Sequence, residues 1–148
     1  MKLPARALVP AVAALLLSCG RPADPVRDCL ERMVASAEKR DADAVMARVA
    51  ESYRGADGGG KADAAALVRR TLAAYESLSL TLSDLAVERG ATAAQAKFKV
   101  RMSGRPRAVG GLEGLLPRSS RWSFDVRLES EKGGWRIASA AWSRLEDD

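Results

Sequence analysis

The sequence predicts an α+β fold in which three N-terminal helices pack on a curved antiparallel sheet of about four main strands. From Asp24 to Leu78, apolar residues recur with the period of helices. After Leu78 the pattern changes to the alternation of strands that have one buried face. Because the helical half precedes the stranded half, repeating β-α-β units are not expected. The three helices are the available cover for the apolar face of the sheet.

Three helices are predicted in the first half of this region. Asp24 is an N-cap acid followed by Pro25, and the first helix extends to about Lys39. Asp41 or Asp43 can cap a second, shorter helix. The segment RGADGGG, residues 54–60, then favours turns, and a third helix covers roughly residues 63–78. The apolar residues of the second helix are Val45, Met46, Val49 and Tyr53, and the inward residues of the third are Leu67, Val68, Leu72 and Tyr75.

Alternating segments predict the strands. Residues 78–82, LSLTL, begin a strand that continues past Asp84 through a bulge. AQAKFKVRM, residues 94–102, and RWSFDVRLES, residues 121–130, follow, and a hairpin turn at residues 132–134 leads to WRIASAAW, residues 135–142. The predicted inward residues are Ala94, Ala96, Phe98, Val100, Met102, Trp122, Phe124, Val126, Leu128, Trp135 and Ile137.

The first nineteen residues resemble the signal sequence of a bacterial lipoprotein. Lys2 and Arg6 accompany an uncharged stretch over residues 7–17, the layout of a secretory signal peptide. As a helix this stretch would span about 16 Å, too short for a bilayer core of about 30 Å. Leu16-Leu17-Ser18-Cys19 resembles a lipobox, although a small residue is more usual than Leu17 at its position. The resemblance implies cleavage before Cys19 and acylation of its thiol.

The sequence thus predicts a signal peptide over residues 1–18, a short tether over residues 19–24 and one domain over residues 25–146. Two or more acyl chains on Cys19 would hold the protein stably at a bilayer. The alternative is an ordinary signal peptide with Cys19 left as a thiol. The chain has 24 basic and 19 acidic residues, and loss of the signal peptide removes two basic ones, which leaves a net charge of +3. This mild balance does not indicate nucleic-acid binding.

The order of elements in the domain resembles the nuclear transport factor 2-like, or SnoaL-like, superfamily with its cystatin-like cone. The resemblance rests on the helices, the glycine-bearing break before the third helix, and the final GGWRIASAAW, which is similar to the family's closing hairpin. It covers most of residues 24–145 and implies a cone-shaped cavity between sheet and helices. Members of the superfamily range from small-molecule isomerases and cyclases to transport adaptors and binding or assembly domains.

The domain offers few residues for catalysis. The sequence has no histidine, which excludes Ser-His-Asp and Cys-His sites. No spacing of cysteines or acidic residues indicates zinc or calcium, and we expect no metal and no cofactor. Enzymes of the resembled superfamily usually place an Asp, His or Tyr on the cavity side, whereas the inward residues of the two clearest strands do not titrate. We therefore expect a protein that is not an enzyme.

Four aromatic residues are candidates for the wall of the cavity: Tyr53, Tyr75, Trp122 and Trp142. Ordinary core packing is the competing interpretation for each of them. Cys29 lies on the apolar face of the first helix, which predicts a buried structural thiol, with a reactive cysteine as the alternative. Asp57 and the glycines after it are interpreted as a turn, with a metal or phosphate loop as the alternative.

The connection GRPRAVGGLEGLLPRS, residues 104–119, is too long for a simple hairpin loop. The connection mixes basic residues with apolar ones, and Arg105, Arg107 and Arg118, together with the following Arg121, could contact the anionic head groups of a nearby membrane. The alternative is a solvated sheet face beside a loop whose leucines cap the open end of the cone. The apolar residues of the connection are Val109, Leu112, Leu115 and Leu116.

These features predict an envelope lipoprotein, anchored in the cell membrane or outer membrane and facing the periplasm or the cell exterior. Its partners are then the lipid bilayer, through acylated Cys19, and either an envelope protein or a hydrophobic ligand. We expect its single domain to act as a non-catalytic binding or assembly module. The alternative is an enzyme or carrier that takes a hydrophobic small molecule into the cone cavity.

Overall fold

Three helices and five strands form the part of the chain that the structure, a computed structural model, describes: residues 24–108 and 116–146. Cys19 and the rest of the predicted signal peptide and lipobox lie outside these residues, as do Val109, Leu112 and Leu115. The helices are α1 (Pro25–Glu38), α2 (Ala42–Met46) and α3 (Lys61–Ala73). The strands are β1 (Val49–Gly55), β2 (Tyr75–Arg89), β3 (Ala93–Pro106), β4 (Ser119–Glu131) and β5 (Gly134–Leu145).

All five strands form one sheet in the order β1-β5-β4-β3-β2. The pairs β2–β3, β3–β4 and β4–β5 are antiparallel, whereas β1 pairs with β5 in parallel. The helices pack on one face of this sheet, and the predicted α+β class and four antiparallel strands are therefore confirmed. The parallel strand β1 is an addition to the prediction.

The predicted start of α1 is confirmed. The Asp24 side chain accepts hydrogen bonds from the backbone amides of Val26 and Arg27, at 3.0 and 3.3 Å, and Pro25 occupies the first turn. These bonds satisfy amides that have no partner within the helix. Val26 and Leu30 are fully buried, so the N-terminal half of α1 packs its apolar face against the core.

The prediction of a second helix that reaches Tyr53 is wrong. Helix α2 ends at Met46, and Val49 begins strand β1, which pairs with β5 at Val49 and Ile137. The Ile137 amide also donates to the carbonyl of Arg48 at 2.9 Å. Val45, Val49 and Tyr53 are spaced four residues apart, which fits a helix, but the exposed edge of β5 offers backbone hydrogen bonds that local spacing cannot reveal.

The third helix ends earlier than predicted, at Ala73 rather than near Leu78. Tyr75 is the first residue of β2, where it pairs with Pro106, and the amide of Arg107 donates to the Ala74 carbonyl at 2.9 Å. Strand β3 likewise extends to Pro106, so the predicted connection of residues 104–119 is shorter in the structure. Residues 107–118 join β3 to β4.

The predicted bulge in the first antiparallel strand is confirmed. The β2–β3 register shifts between Ser83 and Ala86, and Asp84 has a φ of 53°, in the left-handed region. The Asp84 carboxylate pairs with Lys99 at 3.0 Å. The predicted inward residues Ala94, Ala96, Phe98 and Val100 are buried, together with Val126 and Leu128.

Across residues 24–108 and 116–146, none of the helices combines the length and the apolar character needed to cross a bilayer.

Candidate functional site

A cavity of about 410 Å³ lies between the helices and the concave face of the sheet. The helices contribute one wall, with α1 supplying Leu30, Met33 and Val34. The sheet supplies the other, with Phe98 and Val100 of β3 and Phe124 and Val126 of β4. The volume falls within the range of about 300 to 1,000 Å³ that is usual for small-molecule sites. The cone-shaped cavity implied by the sequence resemblance is therefore present.

An aromatic row crosses the sheet side of the cavity. The rings of Phe98 and Phe124 stack with centroids 5.2 Å apart, and Phe124 packs against Trp142 at 6.4 Å. The three residues belong to β3, β4 and β5, and the register places Phe98 opposite Phe124 and Phe124 opposite Trp142. Cross-strand pairing of residues with the same orientation thus produces a continuous apolar surface from the core outward.

The cavity is accessible to solvent beside Leu67 of α3 and Trp142 of β5. Two large hydrophobic residues of the described chain are exposed, Leu67 with 37% of its surface accessible and Trp142 with 45%. Both line the cavity, from α3 and β5 respectively. Large apolar side chains that are accessible and also line a cavity mark its mouth.

Three of the four predicted wall residues line the cavity. Tyr53, Trp122 and Trp142 belong to its wall. The indole N–H of Trp122 donates to the hydroxyl of Ser120 at 2.9 Å, and Ser120 is only 2% exposed. The indole N–H therefore has its hydrogen-bond partner within the protein. Burial, followed by the nearby Asp57 carboxylate, raises the pKa of the Tyr53 phenol. The Tyr53 hydroxyl therefore stays protonated at neutral pH.

The structure places Tyr75 outside the cavity wall. Its hydroxyl donates to the Pro117 carbonyl at 2.9 Å, so the side chain reaches the end of the β3–β4 connection. Tyr75 is buried, and burial raises the pKa of its phenol, while the nearby Arg144 guanidinium lowers it by less. The residue takes this position because it starts β2 instead of continuing α3.

The cavity wall has few side chains that could act as an acid, a base or a metal ligand. Among the described residues that form it, Tyr53 is the one titratable side chain, and Thr71, Trp122 and Trp142 carry the other polar side-chain atoms. In the described part of the chain, no group of three or more Cys, Asp or Glu residues is arranged to hold a metal ion. The arrangement can bind an apolar molecule, but it shows no acid–base pair at its centre.

Cys29 has the environment of a structural thiol. It is 5% exposed, and its thiol donates to the Trp135 carbonyl at 3.4 Å. Burial raises its pKa, and the positive charges of Arg48, Arg136 and Arg32 offset part of that increase. A thiol with a raised pKa is a weak nucleophile at neutral pH.

The glycine-rich segment before α3 forms a turn and a helix cap. Asp57 accepts a hydrogen bond from the Gly59 amide at 2.9 Å, and Asp63 accepts one from the Gly60 amide at 2.9 Å. Gly58 has a φ of 85°, which L-residues rarely adopt. These contacts account for Asp57 as a turn residue.

The four arginines of the predicted basic surface have different surroundings. Arg105 pairs with Glu76 at 3.6 Å, Arg107 and Arg118 are exposed, and Arg121 donates to the Glu146 carbonyl at 2.8 Å. Arg121 lies directly opposite Arg101 in the β3–β4 register.

Sequence reasoning missed Arg144, which lies on β5 two residues beyond Trp142. In the β4–β5 register Arg144 is opposite Trp122, which lines the cavity. Alternation alone could not have indicated it, because the predicted inward residues Trp135 and Ile137 are odd-numbered. The β4–β5 register shift between Arg127 and Leu128 moves the cavity face of β5 to residues 140, 142 and 144.

No protein-family model and no curated protein matches the sequence. Solved structures do match. A protein of the nuclear transport factor 2-like family from Streptomyces avermitilis, a suggested dehydratase, matches with a TM-score of 0.69 and 12% identity, over 83% of this chain and 96% of that one. A protein of unknown function with a cystatin-like fold from Nostoc punctiforme matches with a TM-score of 0.64 and 13% identity, over 83% and 90%.

Bd1075 from Bdellovibrio bacteriovorus matches with a TM-score of 0.67 and 10% identity. This match covers 83% of the present chain but 40% of Bd1075, so the chain spans less than half of that relative's length. At these identities the likeness shows a shared fold. The described domain therefore has the nuclear transport factor 2-like, or cystatin-like, α+β fold.

Proposed function

We propose that the protein is a lipoprotein of the bacterial envelope, anchored through acylated Cys19, whose domain is a non-catalytic module that binds an apolar ligand in the cone cavity. The observation that carries the binding role is the cavity of about 410 Å³ with its apolar wall. A cavity of this size and composition favours burial of an apolar molecule, at roughly 25 cal/mol per Å² of apolar surface removed from water. The lipobox-like sequence Leu16-Leu17-Ser18-Cys19 supports the anchor.

The enzyme alternative has one argument in its favour, since a similar structure from Streptomyces avermitilis is a suggested dehydratase. Dehydration needs a group that removes a proton and a group that protonates the leaving hydroxyl. The titratable candidate in the described cavity wall is Tyr53, whose raised pKa makes it a poor base at neutral pH. Binding without chemistry is therefore the better-supported function.

Two adjacent alanines of β5 provide the test. Ala140 lines the cavity, whereas Ala141 is exposed and pairs with Asp125 on the other face of the sheet. Binding of the neutral apolar dye N-phenylnaphthylamine is measured by its fluorescence in the full chain and in two variants. We expect Ala140→Phe to abolish dye binding because the new ring occupies the cavity, and Ala141→Phe to leave it unchanged.

Circular dichroism and thermal unfolding establish that both variants are folded. If Ala140→Phe unfolds the protein, Ala140→Leu supplies a smaller obstruction, which should weaken dye binding in proportion to the lost volume. Equal dye binding by the unaltered chain and by folded Ala140 variants would contradict a role for the cavity.

A further inference from the structure

Arg144 adds a positive charge to the cavity face of the sheet, beyond the residues that line the cavity. Trp122 and Phe124 of β4 line the cavity, and the β4–β5 register places Arg144 opposite Trp122 and Trp142 opposite Phe124. Residues directly opposite each other in an antiparallel pair point to the same face of the sheet. Arg144 therefore lies on the cavity face, one step beyond the accessible Trp142 ring.

Arg144 has no neutralising partner in the described structure. Within residues 24–108 and 116–146, the ion pairs of the acidic side chains do not include Arg144. The Arg144 guanidinium lies near the phenol of Tyr75 and lowers its pKa by less than burial raises it, and a tyrosine phenol carries no charge at neutral pH. An exposed arginine at this position keeps its hydrogen-bond donors available to a ligand.

The apolar wall and the Arg144 guanidinium follow one another in space along one path out of the cavity. From the interior outward, a ligand would meet Phe98, Phe124 and Trp142, and then the Arg144 guanidinium. A molecule that matches this path is apolar along its length and negatively charged at one end. A fully apolar molecule would leave the guanidinium unused, and a cationic amphiphile would be repelled by it.

We propose that the cavity binds a single-chain amphiphile with an anionic head group, whose chain lies along the aromatic row and whose head pairs with Arg144. This inference rests on the proposed binding function and adds the chemical class of the ligand. In this arrangement Arg144 determines specificity. The apolar wall contributes most of the affinity, and the ion pair at the mouth distinguishes an anionic head from a neutral one.

The test compares two probes that differ in the head group. ω-Bromododecanoate and ω-bromododecanol are titrated, below the concentration at which they aggregate, into the full chain carrying Cys19→Ser to prevent acylation. Bromine quenches nearby tryptophans, and Trp122 and Trp142 line the cavity. We expect the carboxylate to bind about fivefold more tightly than the alcohol, the contribution of a partly exposed ion pair. High salt should reduce that preference.

Arg144→Gln should remove the preference by weakening carboxylate binding about fivefold, while alcohol binding stays unchanged. Arg101→Gln is the matched control. It removes the same charge from the same sheet, but Arg101 lies between Val100 and Met102, which line the cavity, and so faces the opposite side. The preference for the carboxylate should survive in this variant.

Equal binding of the two probes by the unaltered cavity would overturn the inference and leave the proposed function intact. The inference also fails if Arg101→Gln lowers carboxylate binding as much as Arg144→Gln does, or if dodecyltrimethylammonium binds as tightly as the carboxylate. Absence of binding by every probe would overturn the proposed function as well. The two failures are thus distinguished by whether the alcohol binds.

Discussion

Gly104 occupies a position in β3 where a side chain has no room. A methyl group built on it would lie 2.5 Å from the Ser77 carbonyl oxygen and 3.0 Å from side-chain atoms of Leu78 and Tyr75. The carbonyl belongs to the backbone of β2 and cannot move without disturbing the β2–β3 pairing. We expect Gly104→Ala to destabilise the protein by about 1–3 kcal/mol, the usual cost of overpacking.

Chemical denaturation of the full chain measures this effect. The neighbouring Ser103 is exposed, and Ser103→Ala should change the free energy of unfolding by less than about 0.5 kcal/mol. A Gly104→Ala variant as stable as the unaltered protein would show that β2 and β3 can separate locally without cost.

Tyr53 and Tyr75 show which positions of single side chains can be predicted from the sequence. Both are predicted cavity-wall residues because they are the polar side chains best placed to point into a cavity. Tyr53 lines the cavity and Tyr75 bonds to Pro117 instead. Their chemistry is the same, so the difference comes from the strands to which they belong and from the partners of those strands.

The start of α1 is an element that local sequence defines. The Asp24 carboxylate accepts hydrogen bonds from two amides of the first turn. We expect Asp24→Ala to lower the free energy of unfolding by about 1 kcal/mol, and Asp24→Asn to restore most of it, because asparagine caps helices nearly as well. Thermal or denaturant unfolding followed by circular dichroism measures both changes. Equal losses in the two variants would indicate that charge, rather than capping, is responsible.

The segment of residues 42–55, which forms α2 and β1, could be predicted from the sequence only in its first half. The Asp41 side chain accepts a hydrogen bond from the Ala44 amide at 3.0 Å, so the start of α2 follows from local sequence. The change to β1 after Met46 does not, because Val49 and Tyr53 continue a helical spacing from Val45. The hydrogen bonds that favour the strand come from β5, near the other end of the chain. Short segments near a free sheet edge are decided by such partners.

At the scale of the whole molecule, the proposed anchor predicts different roles for the two cysteines. Growth with a labelled fatty acid should label the unaltered protein and the Cys29→Ser variant, but not the Cys19→Ser variant. Cys29 is buried against Trp135, which keeps it from modification in the folded protein. Mass spectrometry of the N-terminal peptide measures the acyl chains directly. Label in the Cys19→Ser variant, or an unmodified Cys19 in the native protein, would contradict the anchor.

The cavity is likewise a property of the whole molecule. The alternation in β3 and β4 predicted which residues face inward, and the buried Ala94, Ala96, Phe98, Val126 and Leu128 confirm it. Sequence could not tell whether these side chains and the helices fill the cone or leave a space. That depends on how far α1 and α3 stand from the sheet, a distance set by packing of many side chains together.

By itself the sequence determined the features that depend on neighbouring residues: the cap of α1, the bulge at Asp84 and the inward faces of the antiparallel strands. Hydrogen bonds within a turn and the alternation of side chains act over a few residues, so they can be read locally. The tertiary structure decided that residues 49–55 form a parallel strand, that Tyr75 lies outside the cavity wall and that Arg144 lies on the cavity face of β5. Each of these depends on backbone pairing between segments far apart in the chain, which no local pattern records.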